Sequence, residues 1–282
     1  ESLEQCYKDA TKNVKFIELG LSANTDLADR LSCLKKVTFL SNSDAHSESP
    51  ISLGREFNRF DIDNPSFEEV QLAISRKDHR KITLNVGLHP KLGKYYNMFC
   101  NKCRRRIIFK KTNRRTSNIF NQYTISDDFV TYFSAEPNKA RNVYINMVSK
   151  EKAICPACKE KSKKNIKIKL GVSERINSIA NFKEPDHPNH RPQYINGIPL
   201  INIIRSVKKI KSAKSKTVLN TYEKMIQQLG TEFNILVDIP IPTIAQFDEK
   251  IASVIKAFRL DRVDYTPGGG GTYGDIKLDF LE

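Results

Sequence analysis

No apolar run of roughly 18 residues occurs in the 282-residue chain, so the sequence holds no candidate membrane-spanning helix. The start of the chain shows no signal-peptide pattern. A phosphate-binding P-loop is missing too: Pro267-Gly268-Gly269-Gly270-Gly271 is rich in glycine but has no Lys-Ser/Thr after it, so nucleotide binding is not expected there. Histidine is scarce, with five in the chain. Acidic side chains are short as well, 32 Asp and Glu against 47 Lys and Arg, for a formal charge of +15. Because the basic residues cluster, that excess points to a nucleic acid partner rather than to a merely well-solvated surface.

What is present is enough for a core. The chain is 39% hydrophobic, and its length leaves room for about two domains or three small ones. Of six cysteines, Cys100/Cys103 and Cys155/Cys158 form two C-x-x-C pairs, while Cys6 and Cys33 stand alone and read as buried thiols. Paired C-x-x-C without a secretory signal predicts one four-thiolate structural zinc in a reducing, cytoplasmic setting. Between the pairs lie Arg104, Arg105, Arg106, Lys110, Lys111, Arg114 and Arg115, mixed with Phe109, Phe120, Tyr123, Phe129, Tyr132, Phe133 and Tyr144. The aromatics read as core and the basic run as an edge for phosphates.

The stretch from Val37 to Glu56, VTFLSNSDAHSESPISLGRE, carries most of the functional signal. Val37, Phe39 and Leu40 read as a buried parallel strand that stops at Ser41-Asn42-Ser43. Side chains past the carboxyl ends of such strands line active-site mouths. Asp44 and His46, two positions apart, would share one strand face and suit a divalent metal such as Zn, Mn or Fe. An Asx-turn explains the same polar residues without a ligand. Glu18 ends an earlier strand in the same way, as a site residue or a salt-bridged loop residue. Arg55 suits a phosphate, and an Arg55–Glu56 surface pair is the alternative.

Local patterns predict the remaining elements. Helices are expected over Leu3–Lys12 and Asp26–Leu34, the latter on Leu27, Leu31 and Leu34. Ser66 with Glu69 forms a capping box for the next helix. Lys81 to Leu88 is extended. A lysine-rich strand runs from Lys159 to Lys169, then a short helix from Val172 to Ala180. Asn181 to Pro192 reads as a linker in which His187 and His190 carry little metal signal. Pro199 starts a helix, Ser215 caps the next and Gly230 stops it. Gln246 to Phe258 is a further helix, whereas Phe233 to Ile239 stays undecided. Arg262–Thr266 and Asp275–Phe280 flank the glycines as a terminal hairpin. Arg205, Lys208, Lys209, Lys211, Lys214 and Lys216 make a second basic cluster.

SNSDAH followed by LGRE resembles the last metal motif of the PHP-domain phosphoesterases, and more closely the endonuclease Q family of DNA repair nucleases. Glu18-Leu19-Gly20-Leu21-Ser22, Arg30-Leu31-Ser32, Gly93-Lys94-Tyr95, the cysteine pairs, Ile198-Pro199-Leu200 and Gly271-Thr272-Tyr273-Gly274 extend the resemblance along the whole chain. It implies an α/β fold: the last strands of a PHP-type (β/α) barrel over 1–78, a zinc-binding α+β domain over 79–185, and a helical DNA-contacting region over 186–282. It implies a monomeric, nucleoid-associated endonuclease, with scope for a replication or repair partner. Such an enzyme nicks DNA, as damaged duplex or single strand, on the 5′ side of uracil, hypoxanthine, xanthine or an abasic site. Asp44 and His46 would hold catalytic Zn, Mn or Mg; Glu18, Arg55, Arg104, Arg105 and Arg106 would contact substrate; Cys100, Cys103, Cys155 and Cys158 would hold structural zinc. Three departures stand out. Asn85 replaces a family Glu, Cys100 stands where a His is common, and no H-x-H precedes Glu18. The chain also begins with Glu1, in mid-pattern. It is therefore expected to be a fragment, weak or inactive alone; a non-catalytic zinc-containing nucleic-acid-binding module and another PHP phosphoesterase are the alternatives.

Overall fold

The structure is a computed structural model that describes residues 2–46, 54–113, 120, 122–158 and 167–278. Arg114, Arg115, the lysine run up to Ile166, the Leu53 of LGRE and the tail beyond Leu278 lie outside the described residues.

The chain opens on α1 (Leu3–Tyr7), where the Ser2 hydroxyl accepts from the Gln5 N–H and the Gln5 side chain accepts from the Ser2 N–H. Lys8, at φ 47°, ends that helix, and the expected helix to Lys12 becomes a 3-10 turn over Lys8–Asn13. Strands β1 (Phe16–Glu18) and β2 (Thr38–Leu40) pair in parallel, Glu18 opposite Leu40. Between them the predicted single helix is split into α2 (Thr25–Ala28), capped by Asn24, and a 3-10 turn over Ser32–Leu34, because Leu31 is extended. Leu19, Ala28, Leu34, Val37 and Phe39 form the core of this layer. Cys6 is exposed and Cys33 half-buried, correcting the expectation of two buried thiols. Cys33 still packs against the edge of this core, whereas Cys6 does not.

Next come β3 (Phe57–Asp61), α3 (Phe67–Ser75) and β4 (Lys81–Leu88). The Ser66 hydroxyl accepts from the Glu69 N–H, but the Glu69 carboxylate turns to the Asp63 N–H and Arg80, so only half of the predicted capping box forms. The zinc-ligand region follows as β5 (Phe99–Cys100), β6 (Arg106–Lys111), β7 (Tyr123–Ile125), β8 (Phe129–Ser134), α4 (Pro137–Ser149), β9 (Ile168–Lys169) and α5 (Val172–Ile179). Its sheet has the order β7-β8-β6-β5-β9, with β6 and β8 parallel. Phe109 and Phe120 each pack on Tyr132 and Tyr144 with ring centroids 5.4–5.8 Å apart, in the core as expected, whereas Tyr123, also expected there, is exposed.

The chain then returns. β10 (Gln193–Gly197) pairs in parallel with β4, which also pairs antiparallel with β3. β4 sits at the centre of this sheet, and a Cβ on its Gly87 would lie 1.8 Å from the Tyr194 hydroxyl of β10, so a larger residue there would have to displace the Tyr194 side chain. Asn181 to Pro192, read as a linker, is bonded onto the first layer: Asn181 and Phe182 N–H groups donate to Arg30 O, and Arg191 reaches Asp29. The last third packs α6 (Leu200–Val207), α7 (Lys216–Leu229), a π-helical turn over Asn234–Asp238, α8 (Ile241–Phe247) and α9 (Glu249–Arg259). Ser215 caps α7 and Gly230, at φ 102°, ends it. The predicted Gln246–Phe258 helix breaks at Asp248, whose carboxylate accepts from the Lys250 and Ile251 N–H groups. Arg259 donates to the carbonyls of Ile235, Leu236 and Ile239, satisfying the end of the π-helical turn. β11 (Asp264–Thr266) and β12 (Asp275–Lys277) pair antiparallel around the glycines. Leu88 and Leu92 join the helices in one core, so the three-stranded sheet and the helical region share an interior. No helix among the described residues is long and apolar enough to cross a membrane.

Candidate active-site cleft and metal centre

Asp44 and His46 stand beyond the end of β2 with Asp44 Oδ1 3.0 Å from His46 Nε2. The strand stops at Leu40 and Asp44 adopts φ 49°, so a turn brings the two together, not an alternating strand face. That turn is anchored from the neighbouring sheet. The Asn58 side chain imitates a strand partner for Ser41: its Oδ1 accepts from the Ser41 N–H at 2.8 Å and its Nδ2 donates to Ser41 O at 2.9 Å. Asn85 Nδ2 donates to Asn58 Oδ1 at 2.6 Å and to Phe39 O at 3.1 Å. A carboxylate at this position could accept but could not donate both bonds.

The pair opens into a cleft of about 730 Å³ lined by Arg55, Lys94, Arg205, Lys211 and Lys214, with Asn202 and Tyr273. Five cations thus face one carboxylate and one imidazole; Arg205 is partly engaged by Asp275. Arg55 Nε donates to Glu56 Oε1 at 2.7 Å, and Glu56 is buried, so the expected surface pair is instead a buried carboxylate aiming an arginine into the cleft. Lys94, Lys211, Lys214 and Tyr273 were not assigned to a site from sequence. The basic cluster after α6 and the GTYG tail were visible, but their convergence on Asp44 depends on the pairing of β10 with β4.

Glu18 is exposed and forms no hydrogen bond or ion pair among the described residues; it does not line the cleft. The three arginines also lie apart from it. Arg106 is buried, its guanidinium 4.0 Å over Phe129, with Nη1 donating to Pro267 O and Nη2 beside Asp128. Arg104 Nε donates to Gly270 O at 2.8 Å, and Arg105 Nε donates to Ser126 O at 2.7 Å. All three are engaged within the fold.

Two C-x-x-C knuckles bring the four cysteines together with every Sγ within 4.8 Å of the others. Cys100 and Cys158 Sγ are 3.7 Å apart, as are Cys103 and Cys155. A tetrahedral zinc with bonds of about 2.3 Å has ligand edges of about 3.8 Å, so the thiolates fit that ion. The Cys155 thiol, helped by the backbone N–H groups of Cys103 and Lys102, holds the Cys100 thiol down at about 5 against the effect of burial. Burial pushes Cys158 up to about 11. Asp44 and His46 differ: their 3.0 Å separation suits neighbouring ligands of one divalent ion, but no third His, Cys, Asp or Glu joins them among the described residues.

Behind the cleft, Glu56 and Glu232 line a small enclosed cavity with Gly54, Gly87, Gly197 and Phe233. Glu232 accepts from the Leu200 N–H and the Tyr222 hydroxyl. Burial raises both carboxyls above their ordinary range, and at Glu56 the nearby Glu232 adds to the shift. A folded carboxyl raised above its unfolded value binds more protons than the unfolded chain, so its contribution is largest in acid and is lost as pH climbs from about 4.3 upward. Glu232→Gln, which keeps an acceptor without the charge, is expected to raise the melting temperature at pH 8 and leave it unchanged at pH 4. Thermal melts at the two pH values check this; an equal shift at both would refute the electrostatic cause.

The family model described as the MJ0043 C-terminal domain matches residues 199–262. The chain is 35% identical over 283 aligned positions to the uncharacterized protein MJ0043 of Methanocaldococcus jannaschii, covering 99% of the chain and 30% of that relative. It is 32% identical over 265 positions to the uncharacterized protein YqxK of Bacillus subtilis, covering 94% and 53%. Two crystal structures, each 35% identical, align over 98% of the chain. One is the lesion-specific endonuclease Q of Pyrococcus furiosus, with a TM-score of 0.71 over 57% of its chain. The other is endonuclease Q in complex with a 27-mer duplex bearing an abasic lesion at the active site, with a TM-score of 0.76 over 58%. The chain therefore spans 30% to 58% of the length of these relatives. By sequence and by fold over nearly all of its own length, it is a relative of endonuclease Q.

Proposed function

We propose that the chain is part of a metal-dependent DNA repair endonuclease that hydrolyses the phosphodiester 5′ of a deaminated base or an abasic site. The observation that carries this reading is the Asp44–His46 pair opening into a cleft with five cations. In this reading β1 and β2 are the last strands of a PHP-type barrel. Asp44 and His46 are two ligands of a catalytic metal whose other ligands come from elsewhere in a longer protein. When bound, such an ion activates water and stabilises charge on the phosphoryl oxygens. The chain's own residues hold the strand: Arg55, oriented by Glu56, donates to a phosphate, and Lys94, Lys211 and Lys214 neutralise its neighbours. Cys100, Cys103, Cys155 and Cys158 hold a structural zinc.

The test is nicking of a labelled duplex with one deoxyuridine, in Mn or Mg, by this chain and by a version extended upstream. Cutting by the extended version, reduced about 100-fold or more by Asp44→Asn, supports the proposal. Lys211→Ala is expected to lower the salt dependence of DNA binding by about one unit of slope. Among the described residues no third donor joins Asp44 and His46, which favours the second reading, a non-catalytic zinc-containing DNA-binding module. That reading takes over where an extended, folded, metal-loaded protein binds damaged DNA without cutting it.

A further inference from the structure

The glycine-rich turn between β11 and β12 takes no part in the chemistry above, yet it is held from several sides. Gly268 N–H donates to Lys91 O at 2.7 Å, Gly271 N–H to Lys94 O at 3.2 Å and Gly274 N–H to Leu92 O at 2.8 Å. Arg104 and Arg106 donate to the carbonyls of Gly270 and Pro267. Gly270 and Gly271 have φ of 65° and 89°, and a Cβ on Gly268 would lie 2.3 Å from Gly93 O. The sequence of the turn is thus fitted to one conformation.

That conformation presents Tyr273. Tyr273 lines the cleft that holds Asp44, His46 and Arg55, and it is 47% exposed. The Lys94 ammonium lies 4.5 Å from the ring centroid. An exposed aromatic on a rigid backbone, braced by a cation and surrounded by lysines and arginines, has the features of a stacking platform for a nucleobase: the ring supplies a π-face and the cations hold the flanking phosphates. Little ordering entropy is lost when a base lands on it, because the turn is already fixed.

We infer that Tyr273 is a base-stacking residue for an unpaired nucleotide of DNA lying in the cleft, with Arg104 and Arg106 as positioning residues that hold its turn. The inference rests on the DNA-binding reading above and adds that the bound DNA contains at least one unstacked base.

The experiment uses the zinc-loaded chain and an oligonucleotide carrying one 2-aminopurine, either unpaired or within a perfect duplex. Tyr273→Leu is expected to weaken binding of the unpaired form by about 5- to 150-fold and to remove the fluorescence quenching that stacking causes. The perfect duplex should be affected much less. Tyr273→Phe should retain both affinity and quenching, and Tyr7→Leu, an exposed tyrosine outside the cleft, should change neither. Equal melting temperatures of the variants exclude a folding defect. Wild-type chain that binds DNA with Tyr273→Leu unchanged, or with both forms weakened equally, overturns the inference and leaves the DNA-binding reading standing. No binding of either DNA by the wild-type chain overturns both.

Discussion

Stripping zinc from the four cysteines is expected to unfold the region from Met98 to Ile179 outright. The Sγ separations of 3.7 Å match a tetrahedral ion, and two of the thiols, Cys100 and Cys155, are buried. Structural zinc contributes on the order of 10–16 kcal/mol in small zinc-binding peptides, whereas whole domains are stable by only about 5–15 kcal/mol. A strong chelator should therefore abolish cooperative melting of this region, and Cys155→Ser should do the same without chelator. Hydrogen exchange at β6 and β8 reads the effect residue by residue. Binding also releases protons, because zinc takes thiolates and burial pushes the Cys158 thiol up to about 11. The metal-bound state carries fewer protons, so zinc affinity rises with pH and falls in acid. An unchanged melting curve after verified zinc removal would refute the structural role.

The second large effect concerns Arg191. Its guanidinium is 2% exposed and grips the fully buried Asp29 through Nε and Nη2, the shortest contact being 2.7 Å. Nη1 donates to Val37 O, and the cation lies 3.4 Å over the Phe39 ring. His187 Nδ1 sits 2.7 Å from the second Asp29 oxygen. Replacing Arg191 by leucine leaves a buried carboxylate without its main partner, which costs about 3–5 kcal/mol. Asp29→Asn should cost less, since an amide still accepts from Arg191. A double Asp29→Leu, Arg191→Leu variant should lose less than the two single losses combined, the mark of a coupled pair. Urea titrations measure all of these, and a loss below about 1 kcal/mol for Arg191→Leu would show that the pair is dispensable.

The residues differ in how openly they announced themselves. β4 fills the predicted span from Lys81 to Leu88, because Ile82, Leu84, Val86 and Leu88 alternate with polar or small residues, a local signal. Ser215 and Gly230 bound α7 as expected, and the C-x-x-C pairs meet as their spacing implies. Asp29 was not legible, since its partner lies far along a segment whose prolines and histidines read as a linker. The cleft was legible only in pieces: Asp44, His46 and Arg55 by motif, the lysines by clustering. Tyr273 looked like part of a weak tail, because the bonds that fix its turn come from Lys91, Leu92 and Lys94. Helix breaks at Leu31 and Asp248 were missed because apolar periodicity runs through them, while capping and extended backbone decide the boundary.

The pairing of β10 with β4 bears on the order of folding. The paired strands lie about 110 positions apart in the chain, and closing so long a loop is entropically slow. Val172 and Ser173 N–H groups donate to Tyr95 O and Tyr96 O, fastening the two ends of the cysteine-bearing segment. Once that segment has folded, the loop left to close is about a quarter as long, a saving of about 1.2 kcal/mol in closure entropy. A route on which the cysteine-bearing segment folds before the sheet is completed is favoured by that amount, and slower assembly of the cleft when zinc is withheld during refolding is the expected result.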